Sequence, residues 1–134
     1  MATLTPKLTL ASTDVSANEV LGLSVGKALT VKPPMKGISR ISCPAAAGGN
    51  GLELVTASGS GVVQYIYIHH TGFEQDGTTS NTQSIDVKFG SGPLDCVTLH
   101  KDDFVFMPVE NQAITIESSG NKTILTEYAY WTKA

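Results

Sequence analysis

Charged side chains are scarce in this sequence. Asp, Glu, Lys and Arg make up 16% of the 134 residues, whereas an average soluble domain has about 25%. The nine basic residues are scattered and the formal net charge is -3, so no basic patch favours nucleic acid as a partner. A surface with so little charge also tolerates being covered by neighbouring proteins.

Long apolar runs are missing as well. No stretch approaches the roughly 20 apolar residues of a transmembrane helix. The opening Met1–Lys7 lacks the basic segment and apolar segment of a secretory leader. We therefore expect no membrane contact, and synthesis in a cytoplasm.

Cysteine and histidine are too few for most metal sites. Cys43 and Cys96 lie far apart, and we expect two reduced core thiols, with a disulfide formed after release from a cell as the alternative. His69 and His70 are adjacent, so in a strand they point to opposite faces and we expect surface or edge positions. Together with His100 they give no zinc-type spacing. We predict no metal and no cofactor.

Motifs for catalysis are equally absent. The sequence has no Gly-x-Ser-x-Gly element, and Gly59-Ser-Gly61 lacks the rest of a phosphate-binding fingerprint. Asp102-Asp103 follows Leu99-His-Lys and is typical of a β-turn rather than of a carboxylate pair. We predict that the protein is not an enzyme and has no catalytic residues.

Alternation of apolar and polar residues dominates what is present. In Gln83–Phe89, the residues Ile85, Val87 and Phe89 share one face of a predicted strand. The chain also has 27 Ser and Thr residues and 13 glycines, a composition typical of short strands and tight turns. We predict one all-β domain over residues 1–134. Its architecture is an antiparallel β-sandwich of about eight or nine strands, with a jelly roll as one topology open to it and residues 1–12 as an N-terminal arm.

Turn signals separate the predicted strands. They stand at Pro33-Pro34 and in the glycine-containing segments 47–51, 58–61, 90–93 and 118–121. The last is interpreted as a hairpin loop with Gly120 and Asn121 in left-handed conformations. A single helical turn is expected at most around Thr13–Glu19.

Three runs have sequences that require neighbours on more than one side of the strand. Gly61–His69 and Asp103–Val109 are apolar on both faces and are predicted to be central strands. Thr123–Trp131 is rich in β-branched and aromatic residues and must pair or dock. We predict that it forms a hairpin with Gln112–Glu117, that Tyr128 and Tyr130 share one face while Trp131 takes the other, and that one face meets a neighbouring subunit.

Two features leave alternatives open. The polar loop Thr71–Thr82 with its single aromatic residue, Phe73, is either a solvated tip or a contact loop for a subunit or ligand. Tyr65 and Tyr67 share a strand face and suit core packing, or less readily a sugar-binding platform.

Four segments carry a resemblance to known proteins. They are the opening Met-Ala-Thr-Leu-Thr-Pro-Lys-Leu-Thr-Leu10, Tyr65-Ile-Tyr-Ile-His-His-Thr-Gly72, Asp103-Phe-Val-Phe-Met-Pro108 and Glu127-Tyr-Ala-Tyr-Trp131. In these strand patterns the chain resembles small all-β virion proteins of tailed bacteriophages, particularly marine and cyanobacterial phages. It departs from the resemblance at His69-His70, where a more ordinary polar pair is expected, and in the length of the Thr71–Thr82 loop.

The resemblance implies a structural protein of the virus particle, assembled in the host cytoplasm. We expect a capsid decoration (cement) protein that binds the major capsid protein, or another virion protein, as a homo-oligomer. The alternative is a tail or fibre component, or a glycan-binding module for host attachment. The expected interface residues are Leu4, Pro6, Leu8, Phe73, Tyr128, Tyr130 and Trp131.

Overall fold

The structure is a computed structural model that describes residues 1–11, 22–46, 51–90 and 95–134. In this part of the chain every regular element is a β-strand, so the predicted all-β class is confirmed. The helical turn expected around Thr13–Glu19 lies outside the described residues. So do residues 47–50 and 91–93 of two predicted turns.

Eleven strands cross the described residues, two or three more than predicted. They are β1 (Ala2–Leu4), β2 (Lys7–Ala11), β3 (Gly22–Gly26), β4 (Leu29–Cys43), β5 (Leu52–Val55), β6 (Val63–Glu74), β7 (Ile85–Phe89), β8 (Asp95–Leu99), β9 (Phe104–Glu110), β10 (Ile114–Ser118) and β11 (Ile124–Lys133).

The strands belong to two compact units. Unit 1 contains Met1–Lys32 with Lys133–Ala134, and unit 2 contains Pro33–Thr132. The boundary falls inside β4, at the proline pair. The single domain over residues 1–134 stays a prediction.

The described residues of unit 1 form two small strand pairings. β1 lies antiparallel to the beginning of β4, with Leu4 opposite Leu29, and the amide of Ala134 donates to the carbonyl of Thr30 at 2.9 Å. β2 and β3 form an antiparallel ribbon from Lys7↔Gly26 to Ala11↔Gly22. All ten ribbon residues are exposed. The predicted arm over residues 1–12 therefore contains β1 and β2.

Unit 2 is built on strands β4 to β11, which divide between two sheets. The larger sheet has the order β1-β4-β11-β6-β9, of which unit 2 holds all but β1 and the first residues of β4. The smaller sheet has the order β5-β10-β7-β8. If β4 to β11 are numbered one to eight, the strand order is 1-8-3-6 in the larger sheet and 2-7-4-5 in the smaller sheet. This is the strand order of a jelly roll, a double-sheet Greek-key sandwich.

The core of unit 2 lies between these two sheets. Ile66 and Ile68 of β6 pack with Ile85 and Val87 of β7 and with Ile116 of β10, and all five are at most 1% exposed. Ile85 and Val87 are buried as the alternation predicts, and Phe89 packs against the same cluster. The predicted sandwich is therefore confirmed.

The predicted hairpin between Gln112–Glu117 and the terminal strand is wrong. β10 pairs with β5 and β7, whereas β11 pairs with β6 in the other sheet, so the chain crosses between sheets after Ser118. Neither Gly120 nor Asn121 has a positive φ. The crossing does not need the left-handed residues of a two-residue hairpin turn.

Two further strand predictions need correction. β6 lies between β11 and β9 and is central as predicted, but β9 is the edge of its sheet. Pro108 fits that position, because a proline cannot donate to a second neighbouring strand. The pair Pro33-Pro34 is not a turn between strands but lies within β4, since prolines are compatible with an extended backbone.

Buried polar side chains at one end of unit 2 connect the crossings. His70 is fully buried, which corrects the expected surface position, and its Nε2 donates to the carbonyl of Gln83 at 2.7 Å. Its Nδ1 accepts from the amide of Gly72 at 2.9 Å. The Gln83 side chain then accepts from the amide of Lys122 at 3.0 Å and donates to Asn121 at 3.2 Å. His70 and Gln83 thus connect the β6–β7 crossing to the β10–β11 crossing.

Backbone hydrogen bonds add two more crossings to this end. After β4, the amide of Ala46 donates to the carbonyl of Gly120, and the amide of Ser118 donates to the carbonyl of Pro44. Between β8 and β9, the amide of Asp102 donates to the carbonyl of His70 at 3.0 Å. Four crossings therefore satisfy one another's polar backbone groups here.

Gly120 and Gln83 should be energetically coupled. A Cβ on Gly120 would overlap the Gln83 side chain, so Gly120→Ala must displace that side chain. We expect Gly120→Ala to lower the free energy of unfolding by about 1–2 kcal/mol in the wild type, through the lost hydrogen bonds. In a Gln83→Ala background it should cost clearly less. Urea titrations of the four proteins measure the difference.

The control is Gly37→Ala, because a Cβ at this exposed position meets nothing within 4 Å. It should be neutral or slightly stabilising. Equal costs of Gly120→Ala in both backgrounds would show that Gln83 is not the reason for a glycine at position 120.

Candidate functional site

The outward side of the larger sheet carries most of the large aromatic side chains of unit 2. Residues that lie directly opposite each other on neighbouring strands point to the same side of the sheet. The register of β11, β6 and β9 therefore arranges their outward residues in rows across the three strands. The rows are Glu127–His69–Phe104, Ala129–Tyr67–Phe106 and Trp131–Tyr65–Pro108. We call these nine residues the aromatic face.

Ring contacts organise this face along the diagonals between strands. The rings of Tyr65 and Phe106 are parallel within 1°, with centroids 6.0 Å apart. The rings of Tyr67 and Phe104 are tilted, with centroids 6.4 Å apart. Contacts of this kind add about 0.5–1.5 kcal/mol per pair beyond the area they bury. The face is therefore an ordered platform and not a set of independent side chains.

The aromatic face is partly open, and the outward side of the smaller sheet is not aromatic. Phe104 is 59% and Phe106 37% exposed. On the smaller sheet, Nζ of Lys88 lies 2.6 Å from a Glu117 carboxylate oxygen, and the Thr98 hydroxyl donates to Asp86. Unit 2 thus presents a charged side and an apolar side. Only the apolar side gains free energy by being covered.

One end of the aromatic face is ionic. The Glu127 carboxylate accepts from Arg40 at 3.0 Å and lies 3.2 Å from Nδ1 of His69. These hydrogen bonds, Arg40 first and His69 second, hold the pKa of Glu127 below its ordinary value of 4.5. Partial burial raises the pKa of the neighbouring Tyr67, and the Glu127 charge adds to that effect. At neutral pH the end therefore offers a carboxylate, a guanidinium and a neutral phenol.

His100, Asp102 and Asp103 lie together between β8 and β9. His100 and Asp103 belong to a tight turn, in which the Asp103 amide donates to the His100 carbonyl at 2.9 Å, so the predicted β-turn is confirmed. Asp102 has a φ of 68° in that turn. Among the described residues, no group of three or more His, Cys, Asp or Glu is placed to hold a metal ion. The described residues also contain no helix that is long and apolar enough to span a membrane.

The two cysteines differ in their surroundings. Cys43 is fully buried, as predicted, and burial is the main reason why its pKa is raised to about 12. Cys96 is exposed on β8, so the prediction of a second core thiol is wrong. No disulfide joins the two residues.

The Thr71–Thr82 segment is a structured turn and not a long open loop. β6 continues to Glu74, and Phe73 pairs with Ser80. The Asp76 carboxylate accepts from the amides of Thr78 and Thr79 at 2.9 and 2.8 Å. Hydrogen bonds to the Thr79 hydroxyl and to these amides hold the pKa of Asp76 well below its ordinary range.

A surface depression of about 510 Å³ lies at this turn, lined by Glu74, Gln75, Asp76 and Thr123. Its two carboxylates already have partners, since Glu74 lies 3.5 Å from Nζ of Lys122 and Asp76 binds the turn. Phe73 is 38% exposed, so the choice between solvated tip and contact loop stays a prediction.

The expected interface residues occupy different environments. Tyr128 is 6% exposed and Tyr130 packs against the core, because both lie opposite buried isoleucines of β6. Their side chains face the core, which corrects their assignment to an interface. Trp131 lies on the aromatic face, so the predicted division of the three side chains between two faces is confirmed.

In unit 1, Leu4 and Pro6 are half-buried and Leu8 is 45% exposed.

Sequence reasoning missed three residues of the aromatic face, and Arg40 beside them. Phe104 and Phe106 were assigned to a central strand, and Arg40 and Glu127 were not singled out. Pro108 was the available signal, because a proline within an apolar run favours an edge strand. The ion pair between Arg40 and Glu127 joins residues that are 87 positions apart, and no local pattern indicates such a contact.

The fold defines the class of this protein as a jelly-roll β-sandwich with an additional N-terminal unit. No protein family, no curated protein and no solved structure matches the chain.

The low pKa of Glu127 predicts a pH-dependent contribution to stability. A carboxyl group whose pKa is depressed by folding stabilises the protein above the unfolded pKa and loses that effect as the pH falls through the folded pKa. Wild type should therefore be more stable than Glu127→Gln at pH 7, by up to about 1 kcal/mol for such a partly exposed group. The difference should shrink below pH 4.5.

Urea unfolding between pH 7 and pH 3 measures this difference. Glu53→Gln, which removes an exposed carboxylate from β5, is the control for the loss of one charge. A stability difference for Glu127→Gln that is independent of pH would contradict the assignment.

Proposed function

We propose that this chain is a structural protein of a phage virion, and specifically a capsid decoration protein that binds the major capsid lattice. Its mechanism would be mechanical. Apolar and hydroxyl-rich surface buried against neighbouring subunits holds the shell together, and edge strands add directional hydrogen bonds. No substrate or cofactor takes part in this role.

The exposure of large apolar side chains on both units is the observation that carries this proposal. In unit 1, Leu8, Leu10, Leu23 and Val25 are 42–56% exposed. In unit 2, the aromatic face is open at its β9 edge, as described above. Monomeric proteins rarely leave several contiguous apolar patches in water, and such patches mark protein contacts. A protein that works within an assembly has both surfaces covered.

The fold and the sequence resemblance support the same role. Jelly rolls occur in viral capsid and lectin domains, although a fold alone does not fix a function. The resemblance of the strand patterns to tailed-phage virion proteins favours the capsid over the other uses of this fold. The low fraction of charged residues, 16%, suits a surface that is largely covered by neighbouring subunits.

Binding to capsids can be tested directly. Purified protein, mixed with tailed-phage shells assembled without a decoration protein, should sediment with the shells and raise their melting temperature. At a free concentration 100 times the Kd, binding adds about 2.7 kcal/mol of stability per site. Phe104→Thr combined with Phe106→Thr should weaken the binding.

Glu53→Gln, an exposed change on the smaller sheet, should bind like the wild type. The capsid role would be contradicted if the protein stays in the supernatant and the melting temperature of the shells is unchanged.

A second candidate function is glycan binding, as in a tail-fibre module. One observation favours it: the parallel rings of Tyr65 and Phe106 lie on the same face as the ionic cluster of Arg40, His69 and Glu127. Sugar rings stack on flat aromatic surfaces, while their hydroxyls need charged or polar partners nearby. Phe73, by contrast, lies near the end of β6, where it pairs with Ser80, and is not part of the aromatic face.

A glycan array separates the two candidates. If the aromatic face binds sugars, Tyr65→Ala should weaken binding roughly tenfold or more, since a stacking contact is worth about 0.5–1.5 kcal/mol in addition to buried area. Phe73→Ala should leave binding unchanged. Absence of any bound glycan, or binding that is indifferent to Tyr65→Ala, argues against this function.

A further inference from the structure

The ribbon of β2 and β3 is amphipathic. Leu8 lies directly opposite Val25, and Leu10 directly opposite Leu23, so these four side chains share one face. The other face holds only small and polar residues and one lysine: Lys7, Thr9, Ala11, Gly22, Ser24 and Gly26. The four aliphatic side chains are nevertheless 42–56% exposed.

Such a ribbon is poorly stable in water by itself. Two paired strands of five residues need a third strand or a packed apolar face to form a stable sheet. Among the described residues, none covers the aliphatic face, as the exposures show. A partner with an apolar surface of similar size would complete it.

The aromatic face has matching dimensions. Along β9 its apolar residues run from Phe104 to Pro108, which is five residues, the same length as β2 and about 17 Å. It spans three neighbouring strands, whereas the ribbon has two. Two sheet faces that pack on each other through apolar side chains are the arrangement within a β-sandwich core.

The charges of the two units are complementary. By sequence, unit 1 contains four lysines and two acidic residues, a balance of +2. Unit 2 contains five basic and ten acidic residues, a balance of -5, and the two balances sum to the net -3 of the chain. Unit 1 of one copy is therefore attracted to unit 2 of another, whereas two copies of unit 1 repel each other.

We propose that the aliphatic face of the ribbon binds the aromatic face of a second copy of this chain. The contact joins two different surfaces, so it produces either a reciprocal dimer or a ring of copies. This contact would be the way in which the proposed virion protein self-associates. It rests, like the proposed function, on exposed apolar surfaces that bind other protein subunits. It does not require a capsid.

Two double variants test the contact from its two sides. One carries Leu10→Thr with Leu23→Thr, and the other Phe104→Thr with Phe106→Thr. Wild type should self-associate, and each variant should raise the Kd of association roughly 30-fold or more, because each removes two apolar contacts. Light scattering after size exclusion and sedimentation velocity give the masses. Unchanged near-ultraviolet circular dichroism confirms that each variant is folded.

The decisive measurement is a mixture of the two variants. The variant with substituted phenylalanines keeps an intact ribbon, and the variant with substituted leucines keeps an intact aromatic face. One contact between the two variants therefore remains, and a one-to-one complex should form. Exchanging Thr9 and Ser24, which face each other on the opposite side of the ribbon, through Thr9→Ser with Ser24→Thr, is the control and should leave association unchanged.

Three results would overturn the proposal. They are a wild type that stays monomeric at all concentrations, a mixture that associates no better than its components, and an association lost only with the leucine substitutions. The last would indicate contact between two ribbons. Self-association without binding to capsids would contradict the capsid role and support the contact between copies. Capsid binding by a monomer would support the capsid role and contradict the contact between copies.

Discussion

Passage of the chain from one sheet to the other is the constraint on which this structure depends. Each crossing leaves the sheets and must find new partners for its backbone amides and carbonyls, because buried unpaired groups cost about 1–3 kcal/mol each. Here four crossings share one end of the sandwich. His70 and Gln83 join two of them through both ring nitrogens of the histidine and the amide of the glutamine. The two sheets hold their positions through this polar end as well as through the isoleucine-rich core.

Alternation in the sequence predicts the faces of strands but not their neighbours. Ile85 and Val87 are buried as their spacing indicates, and Trp131 lies opposite to Tyr128 and Tyr130. The hairpin of β10 and β11 was wrong because a turn rich in serine and glycine serves a hairpin and a crossing equally well. What distinguishes them here is Gln83, which is distant in sequence. The sandwich was accessible from the alternating pattern and the strand class, with a jelly roll as one open topology, whereas the strand order required the whole fold.

The candidate site shows the same division. Tyr65 and Tyr67 were visible in the sequence as a pair on one face. The contribution of β9 was not, because apolar residues on both sides of a strand predict that both sides are buried. An edge strand with phenylalanines outward and valine and methionine inward gives the same pattern as a central strand. Exposed apolar side chains on an edge strand therefore give the same sequence pattern as a core, and only the position of the strand at the sheet edge distinguishes the two.

The position of β11 has a consequence for the way this protein is made. The last strand of the sandwich lies between β4 and β6 at the centre of the larger sheet. While the chain is still being synthesised, β4 and β6 therefore lack the strand that joins them, and both present unpaired edges. The sandwich cannot close until residues 124–133 have left the ribosome, and nearly every native contact of that strand is distant in sequence. Closure of this sandwich therefore requires β11 to insert between two strands that were synthesised before it.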